Sequence, residues 1–451
     1  MIQELDCFKA YDIRGRVPEQ LNADIAYRIG RAFAAHLKPK RVVVGFDIRL
    51  TSQELCAALS RGLTEGGADV TNIGQCGTEE IYFATSHLGY EGGIMVTASH
   101  NPADYNGMKF VREGSLPVSA DTGLLAIKEL AEKNDFAEPA MQGSIDFADL
   151  RGAYLAKLLS FVDVDKLKPL KIVCNAGNGG AGATIDLLEP LLPFEIIRVH
   201  HEPDGHFPNG VPNPMLEENR APTTAAILES KADLGIAWDG DFDRCFFFDE
   251  NGRFIEGYYL VGLLAQVFLD TEPGAKIVHD PRLTWNTQEI VAAAGGEAIQ
   301  SMTGHAYMKE SLRADKAVYG GEMSAHHYFR DFYYSDSGMV PWLLVTALMA
   351  ATGKRLSQLV DERMQAFPAS GEINRTIADP TALLAATRAR YESAAVAVEN
   401  VDGLSMSFDA WRFNLRLSNT EPVVRLNVES RADEALMREK TAELLDLMSQ
   451  A

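Results

Sequence analysis

The sequence predicts an α/β protein with three tandem mixed-sheet α/β domains and a C-terminal α+β domain around a central cleft. Two patterns predict this class: a strand–helix–strand–strand layout occurs three times, and the last stretch changes to strands that follow one another directly. The length of 451 residues also exceeds what one compact core accommodates. We therefore expect domains at 1–150, 151–255, 256–366 and 367–451.

Each repeat begins with a basic residue and a β-branched run, at 40–45, 170–174 and 275–279. A helix is predicted at 52–64 in the first repeat. Second strands are predicted at 68–73, 194–199 and 297–302, and third strands at 93–96, 233–237 and 317–319. Because ligands of open α/β sheets bind beyond the carboxyl ends of strands, the loops after the third strands are expected to face one cleft.

The C-terminal domain is predicted to begin near Phe367 and to form a strand, a helix, three strands and a helix. Its last three strands centre on Met406, Phe413 and Leu426, and its helices are predicted at 381–399 and 432–449. This order, without further β–α–β repeats, is typical of an α+β domain.

The formal net charge of −21 repels nucleic acid and anionic membranes, so neither is an expected partner. The apolar stretches 258–269 and 339–351 are shorter than the roughly 20 residues of a membrane-spanning helix, and they are predicted to be buried helices. The five cysteines lack paired spacing, which favours reduced thiols and a cytoplasmic location. A sugar phosphate would be an acceptable ligand only where basic residues are concentrated.

The loop after the third strand of the first repeat contains Thr97-Ala98-Ser99-His100-Asn101-Pro102. Pro102 disfavours helical geometry at Asn101, so Ser99 is expected in a turn. An ordinary surface turn is the simplest interpretation of such a serine. Ser99 becomes a candidate nucleophile if a metal site and a phosphate site lie opposite it.

The equivalent loop of the second repeat contains Asp239, Asp241 and Asp243 at alternate positions. Three converging carboxylates provide the oxygen ligands that suit Mg²⁺. A solvated acidic turn is the alternative, but apolar runs on both sides of the loop would bury its base. A magnesium site is therefore predicted here.

Basic residues that could bind phosphate occur in several segments, among them Arg14, Lys109 and His305. In the tail, Arg416 and Arg425 bracket three side chains with hydroxyl or amide groups, Ser418, Asn419 and Thr420. Arginine can bind phosphate through two N–H groups, so this turn is a candidate phosphate cradle. Each of these charges alone is more often solvated, whereas together they supply the positive field that the acidic chain requires.

A rival function comes from the run 177–182, which fits the G-x-G-x-x-G dinucleotide fingerprint, with Glu202 at the distance of a ribose-binding acid. This pattern favours an NAD-dependent dehydrogenase. A tight strand-to-helix turn explains the glycines equally well.

Together, in chain order, these loops resemble the α-D-phosphohexomutase superfamily and in particular its phosphomannomutase and phosphoglucomutase branch. The Ser99 loop is similar to the phosphoserine loop of that family, 239–244 to its Mg²⁺ loop, 321–324 to its sugar-recognition loop and 416–425 to its phosphate-binding loop. The segment 11–15 matches as well. The resemblance implies that 177–182 is a structural turn without a dinucleotide.

The resemblance also implies roles for individual residues. Ser99 is expected to carry the transferred phosphoryl group and, with the three aspartates, to hold Mg²⁺. Either His305 or Lys109 is expected to be the base, while His100 and Arg14 orient the phosphoryl group. The expected substrate contacts are Tyr11, Arg14, Arg282, Glu322, Ser324, His326, Arg416, Ser418, Asn419, Thr420 and Arg425. Arg282 stands where some members place a lysine.

By analogy, mannose 6-phosphate and mannose 1-phosphate are interconverted through a hexose 1,6-bisphosphate, which is also the expected activator. The sequence around Met323 favours mannose or glucose phosphates, and 320–328 most resembles bacterial enzymes that supply GDP-mannose synthesis. A phosphoglucomutase or a dual-specificity enzyme stays an alternative, as does a sugar-phosphate binder without activity. No obligate protein partner is expected.

Overall fold

The computed structural model describes residues 4–139, 141–417 and 423–450, and the chain divides into two compact units. The first unit comprises 1–254 and 326–353, and the second comprises 255–325 and 354–451. The first two sequence repeats thus fall in the first unit.

The first repeat folds into a mixed sheet with four helices among its described residues. Its strands are β1 (Ile13–Arg16), β2 (Arg41–Phe46), β3 (Asp69–Gln75), β4 (Gly92–Val96), β5 (Tyr105–Arg112), β6 (Leu116–Pro117) and β7 (Ile145–Phe147). Its helices are α1 (Ala23–Leu37), α2 (Ser52–Glu65), α3 (Thr78–Leu88) and α4 (Leu124–Lys133). The strand order is β1-β5-β4-β2-β3-β7, with β6 beside β5, and β2 runs parallel to β3 and β4. Val42, Val43 and Val44 are fully buried, as expected for a central parallel strand covered on both faces.

The second repeat has the same arrangement. Its strands are β8 (Lys171–Asn175), β9 (Glu195–Val199), β10 (Leu234–Trp238), β11 (Cys245–Phe248) and β12 (Phe254–Ile255). Its helices are α5 (Arg151–Leu159), α6 (Ala181–Leu188) and α7 (Ala221–Ser230). The first strand β8 again lies between the second and third, parallel to both, and β11 pairs antiparallel with β10, with β12 at the edge beyond it.

The third repeat lies in the second unit. It contains α8 (Gly257–Thr271), α9 (Trp285–Ala293), α10 (His305–Asp315), β13 (Lys276–His279), β14 (Glu297–Gln300) and β15 (Tyr319–Gly321). As in the other repeats, the first strand pairs in parallel with the second and the third. The third strand begins at Tyr319, whereas the sequence predicted it at 317–319. The threefold repeat is thereby confirmed.

The chain then returns to the first unit with the antiparallel pair β16 (His327–Phe329) and β17 (Ser335–Asp336) and with α11 (Val340–Thr352). Glu79, fully buried in α3, accepts hydrogen bonds from Ser337 Oγ at 2.8 Å and from the Gly338 amide at 2.6 Å. Tyr154 of α5 donates to the same carboxylate at 2.7 Å. Glu79 thus ties the start of α11 to helices of the first and second repeats.

The apolar runs predicted as buried helices form α8 and α11. Within the described residues, no helix is both long enough and apolar enough to span a bilayer. All five cysteines are buried free thiols. 

The C-terminal part of the second unit contains α12 (Leu356–Ala366), α13 (Pro380–Tyr391), α14 (Glu434–Ser449), β18 (Ile373–Arg375), β19 (Ala397–Glu399), β20 (Leu404–Ser407), β21 (Trp411–Leu417) and β22 (Val424–Ser430). The strands pair antiparallel in the order β18-β22-β21-β20-β19. Phe413, Leu426 and Leu444 are buried in the core between this sheet and its helices.

The prediction of one helix at 381–399 was wrong, because the helix ends at Tyr391 and β19 follows. The amide of Val396 donates to Ser407 O, and Val398 pairs with Met406, so this valine-containing segment adds an edge strand to the sheet. Pairing with β20 therefore places the end of the predicted helix in a strand.

Candidate active site

Ser99 lies in the loop after β4, where its backbone has a left-handed φ of 47° and its side chain is buried. Its amide donates to Thr97 Oγ1 at 2.9 Å. A Cβ built on Gly240 would lie 2.6 Å from Ser99 O, so the loop after β10 approaches this turn as closely as only glycine permits. The serine is therefore held in a fixed position and is not in an ordinary surface turn.

The Ser99 hydroxyl donates to Asp239 Oδ2 at 2.6 Å and lies 3.0 Å from His100 Nδ1. Asp239 belongs to the predicted metal loop, in which Asp241 and Asp243 are also buried. The three residues can each offer one carboxylate oxygen such that all three oxygens lie within 4.8 Å of one another. The structure thus brings the predicted nucleophile and the three predicted metal ligands into one site.

The charges of this triad are unevenly balanced. Burial raises the pKa of Asp239 to about 6, although Arg244 opposes it. For Asp243, burial also favours the neutral form, but Lys109 and His326 outweigh it, and the pKa lies well below the usual range. 

Within the described part of the chain, Asp241 Oδ1 is buried without a hydrogen-bond partner, whereas Asp243 Oδ1 lies 3.6 Å from His326 Nε2. Buried, unpaired carboxylate oxygens are costly unless a cation satisfies them. The oxygen donors of the triad suit a hard divalent cation, so these residues fit the predicted metal.

Lys109, on β5, places its ammonium 2.8 Å from Asp241 Oδ2 and 2.5 Å from Asp243 Oδ2. Burial disfavours its charge, but the two carboxylates raise its pKa above the ordinary value. Lys109 is thus a cation beside the triad, and in this state it can release a proton but cannot accept one.

His100 and Arg14 lie next to the Ser99 turn. Burial, followed by the charge of Arg244, lowers the pKa of His100 well below its usual value. Arg14 donates to Asp12 Oδ2 at 2.9 Å and to Asn101 Oδ1 at 2.8 Å. The guanidinium of Arg14 is thereby directed onto the serine loop, and Tyr11 lies in the segment that leads into β1.

Sequence reasoning missed Arg244 and Arg49. Arg244 donates from Nη2 to Asp239 Oδ2 at 2.8 Å and also contacts His100. Arg49 donates to the carbonyl oxygens of Ser99 at 2.9 Å and Pro102 at 2.7 Å, which fixes the backbone of the serine loop. The position of Arg49 just beyond the carboxyl end of β2 is the signal that could have identified it.

His326 was expected to contact substrate, and the structure places its Nε2 3.6 Å from Asp243 Oδ1. It can join Asp243 and Asp336 in a second set of clustered metal-binding side chains. His326 therefore lies beside the aspartate triad in the first unit.

In the second unit, Arg282 contacts the predicted sugar-recognition loop. Its Nη2 donates to Ser324 Oγ at 3.2 Å and lies 3.7 Å from Glu322 Oε1. The Gly304 amide donates to Glu322 Oε1 at 2.9 Å. Helix α10, whose first residue is His305, therefore begins next to this loop. These predicted residues are thus brought together.

Arg416 and Arg425 are cross-strand partners on β21 and β22. Both lie near Glu372, with Arg425 Nη1 3.0 Å from Oε1 and Arg416 Nη2 3.7 Å from Oε2. The other predicted members of this cradle, Ser418, Asn419 and Thr420, lie outside the described residues.

The glycines of the fingerprint-like turn contact the chain itself. A Cβ on Gly177 would lie 2.3 Å from Pro212 Cβ, and one on Gly182 would lie 2.3 Å from His201 O. The Gly180 amide donates to Gly240 O in the aspartate loop at 3.1 Å. Close packing against neighbouring segments of the chain therefore explains the glycines, as the structural-turn interpretation predicted.

Family models for the four domains of one family match the chain in order. Their descriptions are "Phosphoglucomutase/phosphomannomutase, alpha/beta/alpha domain I" at residues 6–138, domain II at 152–252, domain III at 256–367 and "C-terminal domain" at 372–446. 

Similar proteins match over nearly the full length. A phosphomannomutase of Salmonella montevideo is 60% identical over 455 residues, covering 99% of this chain and 100% of that protein. A protein of Xanthomonas campestris pv. campestris (strain B100) named "Phosphohexose mutases" is 58% identical over 444 residues, covering 98% and 99%. A crystal structure of a phosphoglucomutase/phosphomannomutase family protein from Burkholderia thailandensis has a TM-score of 0.89 at 31% identity, covering 100% of this chain and 98% of that one.

Proposed function

Because the chain belongs to the phosphoglucomutase/phosphomannomutase family, we propose that it interconverts mannose 6-phosphate and mannose 1-phosphate. The reaction proceeds through a phosphoserine at Ser99 and a hexose 1,6-bisphosphate. The single observation that carries this proposal is the 2.6 Å contact between Ser99 Oγ and Asp239 Oδ2 within a buried carboxylate triad. The mannose 1-phosphate product feeds GDP-mannose synthesis.

The cation proposed for the triad is Mg²⁺, held by Asp239, Asp241, Asp243 and the oxygen of phosphorylated Ser99. When bound, it supplies charge neutralisation at the phosphoryl group and at the leaving serine oxygen. The buried Oδ1 of Asp241, which accepts no hydrogen bond among the described residues, supports this assignment.

In the transfer, the bond between phosphorus and Ser99 Oγ breaks and a bond to a sugar hydroxyl oxygen forms. Arg14 and His100 orient the phosphoryl group. The sugar proton goes to His305 or Lys109, and Lys109 can take this role only after it has lost the proton that Asp241 and Asp243 stabilise. A histidine side chain ordinarily has a pKa close to neutral pH, so histidine as a residue type can accept a proton without such a prior loss.

The remaining side chains hold the substrate. Glu322 and Ser324 bind ring hydroxyls, while Arg282, Arg416 and Arg425 bind the phosphate that is not reacting. Ser418, Asn419 and Thr420 complete that grip, and Tyr11 and His326 are further proposed contacts. The bisphosphate turns end for end and returns its other phosphate to Ser99.

Glucose phosphates are a second candidate substrate, because a relative of 58% identity carries the broader name of phosphohexose mutases. Coupled assays with mannose 1-phosphate and glucose 1-phosphate, compared by kcat/KM, separate the two. We expect mannose 1-phosphate to be favoured by about tenfold or more, the discrimination that a hydroxyl contact can supply. Equal values would establish dual specificity, and a reversed ratio would make glucose the substrate.

A further inference from the structure

Glu372 is a carboxylate shared by the three arginines assigned to the non-reacting phosphate. Arg282 Nη1 lies 3.1 Å from Glu372 Oε2, Arg425 Nη1 lies 3.0 Å from Oε1, and Arg416 Nη2 lies 3.7 Å from Oε2. The Glu372 side chain is only 4% exposed. Both of its oxygens therefore engage the guanidinium donors that a phosphate would use.

The backbone fixes this carboxylate in place. Glu372 directly precedes β18, in which Asn374 pairs with Arg425, and it follows Gly371 with a left-handed φ of 67°. Arg282 lies beyond the carboxyl end of β13. The contact thus joins the start of the C-terminal sheet to a loop of the third repeat.

Among the ion pairs of the described residues, Glu372 is the one carboxylate that contacts all three arginines. Asp280 and Glu322 contact Arg282, and Asp402 lies 3.6 Å from Arg416. Burial alone would raise the pKa of Glu372, but Arg282 and the other two arginines lower it below the ordinary value. Glu372 is therefore an anion at neutral pH and the common counter-charge of the cluster.

We infer that Glu372 is an internal competitor for the non-reacting phosphate: its carboxylate occupies the arginine donors and must yield them when a phosphate binds. This inference rests on the proposed function, since it takes Arg282, Arg416 and Arg425 as the phosphate grip. Glu372 does not touch the reacting atoms and acts through the arginines, so it is a positioning residue.

Such competition serves a two-step reaction. The hexose 1,6-bisphosphate has to leave the grip by one phosphate and re-enter by the other. A grip that binds every phosphate too tightly would stabilise the intermediate and slow its reversal, because uniform tight binding lowers KM without raising kcat. The Glu372 carboxylate weakens phosphate binding by competing for the arginines, and it forms ion pairs with them when no phosphate is bound.

The test is calorimetric titration of inorganic phosphate into the wild-type chain, Glu372→Gln, Glu372→Asp and Arg416→Ala. We expect Glu372→Gln to bind phosphate about tenfold more tightly, because one of the charges that oppose the anion is removed. Glu372→Asp keeps the charge and should stay close to wild type. Glu399→Gln, which removes an exposed carboxylate of β19, is the matched control for net charge and should leave the affinity unchanged.

An unchanged or weakened phosphate affinity in Glu372→Gln overturns the inference and makes the carboxylate an organiser of the arginines. Circular dichroism shows whether the variant is folded. If it is not, Glu372→Ala, which also removes the carboxylate and should also bind phosphate more tightly, provides the second variant. If Arg416→Ala leaves the wild-type phosphate affinity unchanged, the proposed phosphate grip itself fails, which is a distinguishable result.

The kinetic test compares the effects of the substitution on KM and on kcat. With mannose 1-phosphate, Glu372→Gln should lower both KM and kcat by several-fold, so that kcat/KM changes little. A purely structural defect would instead lower kcat/KM and raise or preserve KM. An unchanged KM would contradict the competition.

Discussion

The hydroxyl of Ser99 donates to Asp239 Oδ2 at 2.6 Å, although 140 residues separate the two in the chain. The contact joins the loop after β4 to the loop after β10, so equivalent positions of two repeats supply the two halves of the proposed phosphoryl-transfer site. Binding beyond the carboxyl ends of parallel strands is the general rule for such sheets.

Replacing Asp243 by Asn should abolish most of the activity. The change removes one negative charge from the triad, and with it one of the two carboxylates that pair with Lys109. We expect kcat/KM to fall by about 10²–10³-fold, the scale of losing one preorganised electrostatic contact. Activity measured across a Mg²⁺ titration checks this, with a chelator expected to inactivate the wild type and Mg²⁺ to restore it. Asp165→Asn, at an exposed position, is the control. Full activity of Asp243→Asn would exclude the triad as the metal site.

The approach of the two loops can be tested at Gly240. A methyl group there would lie 2.6 Å from Ser99 O, so Gly240→Ala must push the serine loop away from the aspartates. We expect kcat to fall by about 10²-fold, as for small misplacements of reacting groups, with the fold retained by circular dichroism. Gly152→Ala in α5 meets no atom within 4 Å and should behave as wild type. An unaffected kcat in Gly240→Ala would show that the spacing of the loops is not required.

His327 makes stability depend on pH. Burial, followed by the charge of His326, lowers the pKa of His327 from 6.5 to about 3. The folded chain therefore binds fewer protons there than the unfolded chain between these values, so this contribution is full above pH 6.5 and is lost as the pH falls. From pH 7 to pH 5 the loss should be about 2 kcal/mol.

Urea unfolding at both pH values measures this loss, and His327→Gln should show a smaller decrease. His206→Gln, at an exposed histidine, should lose as much free energy of unfolding between pH 7 and pH 5 as the wild type does. If the wild type and His327→Gln lose the same free energy of unfolding between pH 7 and pH 5, the pKa of His327 does not differ between the folded and unfolded chain.

The repeats and the Ser99 and aspartate loops could be predicted from sequence, because β-branched runs mark buried strands and polar residues follow directly at their ends. Arg49 was missed because it acts on the carbonyl oxygens of Ser99 and Pro102; its position beyond the carboxyl end of β2 points to the site, but the sequence does not show which atoms it contacts. Glu79 was missed for a related reason: a glutamate in the first turn of a helix is usually exposed, and here it caps α11 from a distance in sequence.

The edge strand β19 was predicted as the end of a helix, because the local sequence does not show the pairing with β20 that makes this segment a strand. The two carboxylates beside Lys109 were also not predictable as its partners, since residue type alone suggests a base. How the sugar and phosphate loops of the second unit act on the substrate stays a prediction.

The most direct experiment follows the phosphate on Ser99. The wild-type chain and Ser99→Ala are incubated with hexose 1,6-bisphosphate and Mg²⁺, analysed by intact mass and assayed for mutase activity. We predict that the wild type gains one phosphate and that Ser99→Ala gains none and loses activity by at least about 10³-fold. A Ser99→Ala variant that still becomes phosphorylated, or that retains full activity, would contradict the assignment of Ser99 as the phosphoryl carrier.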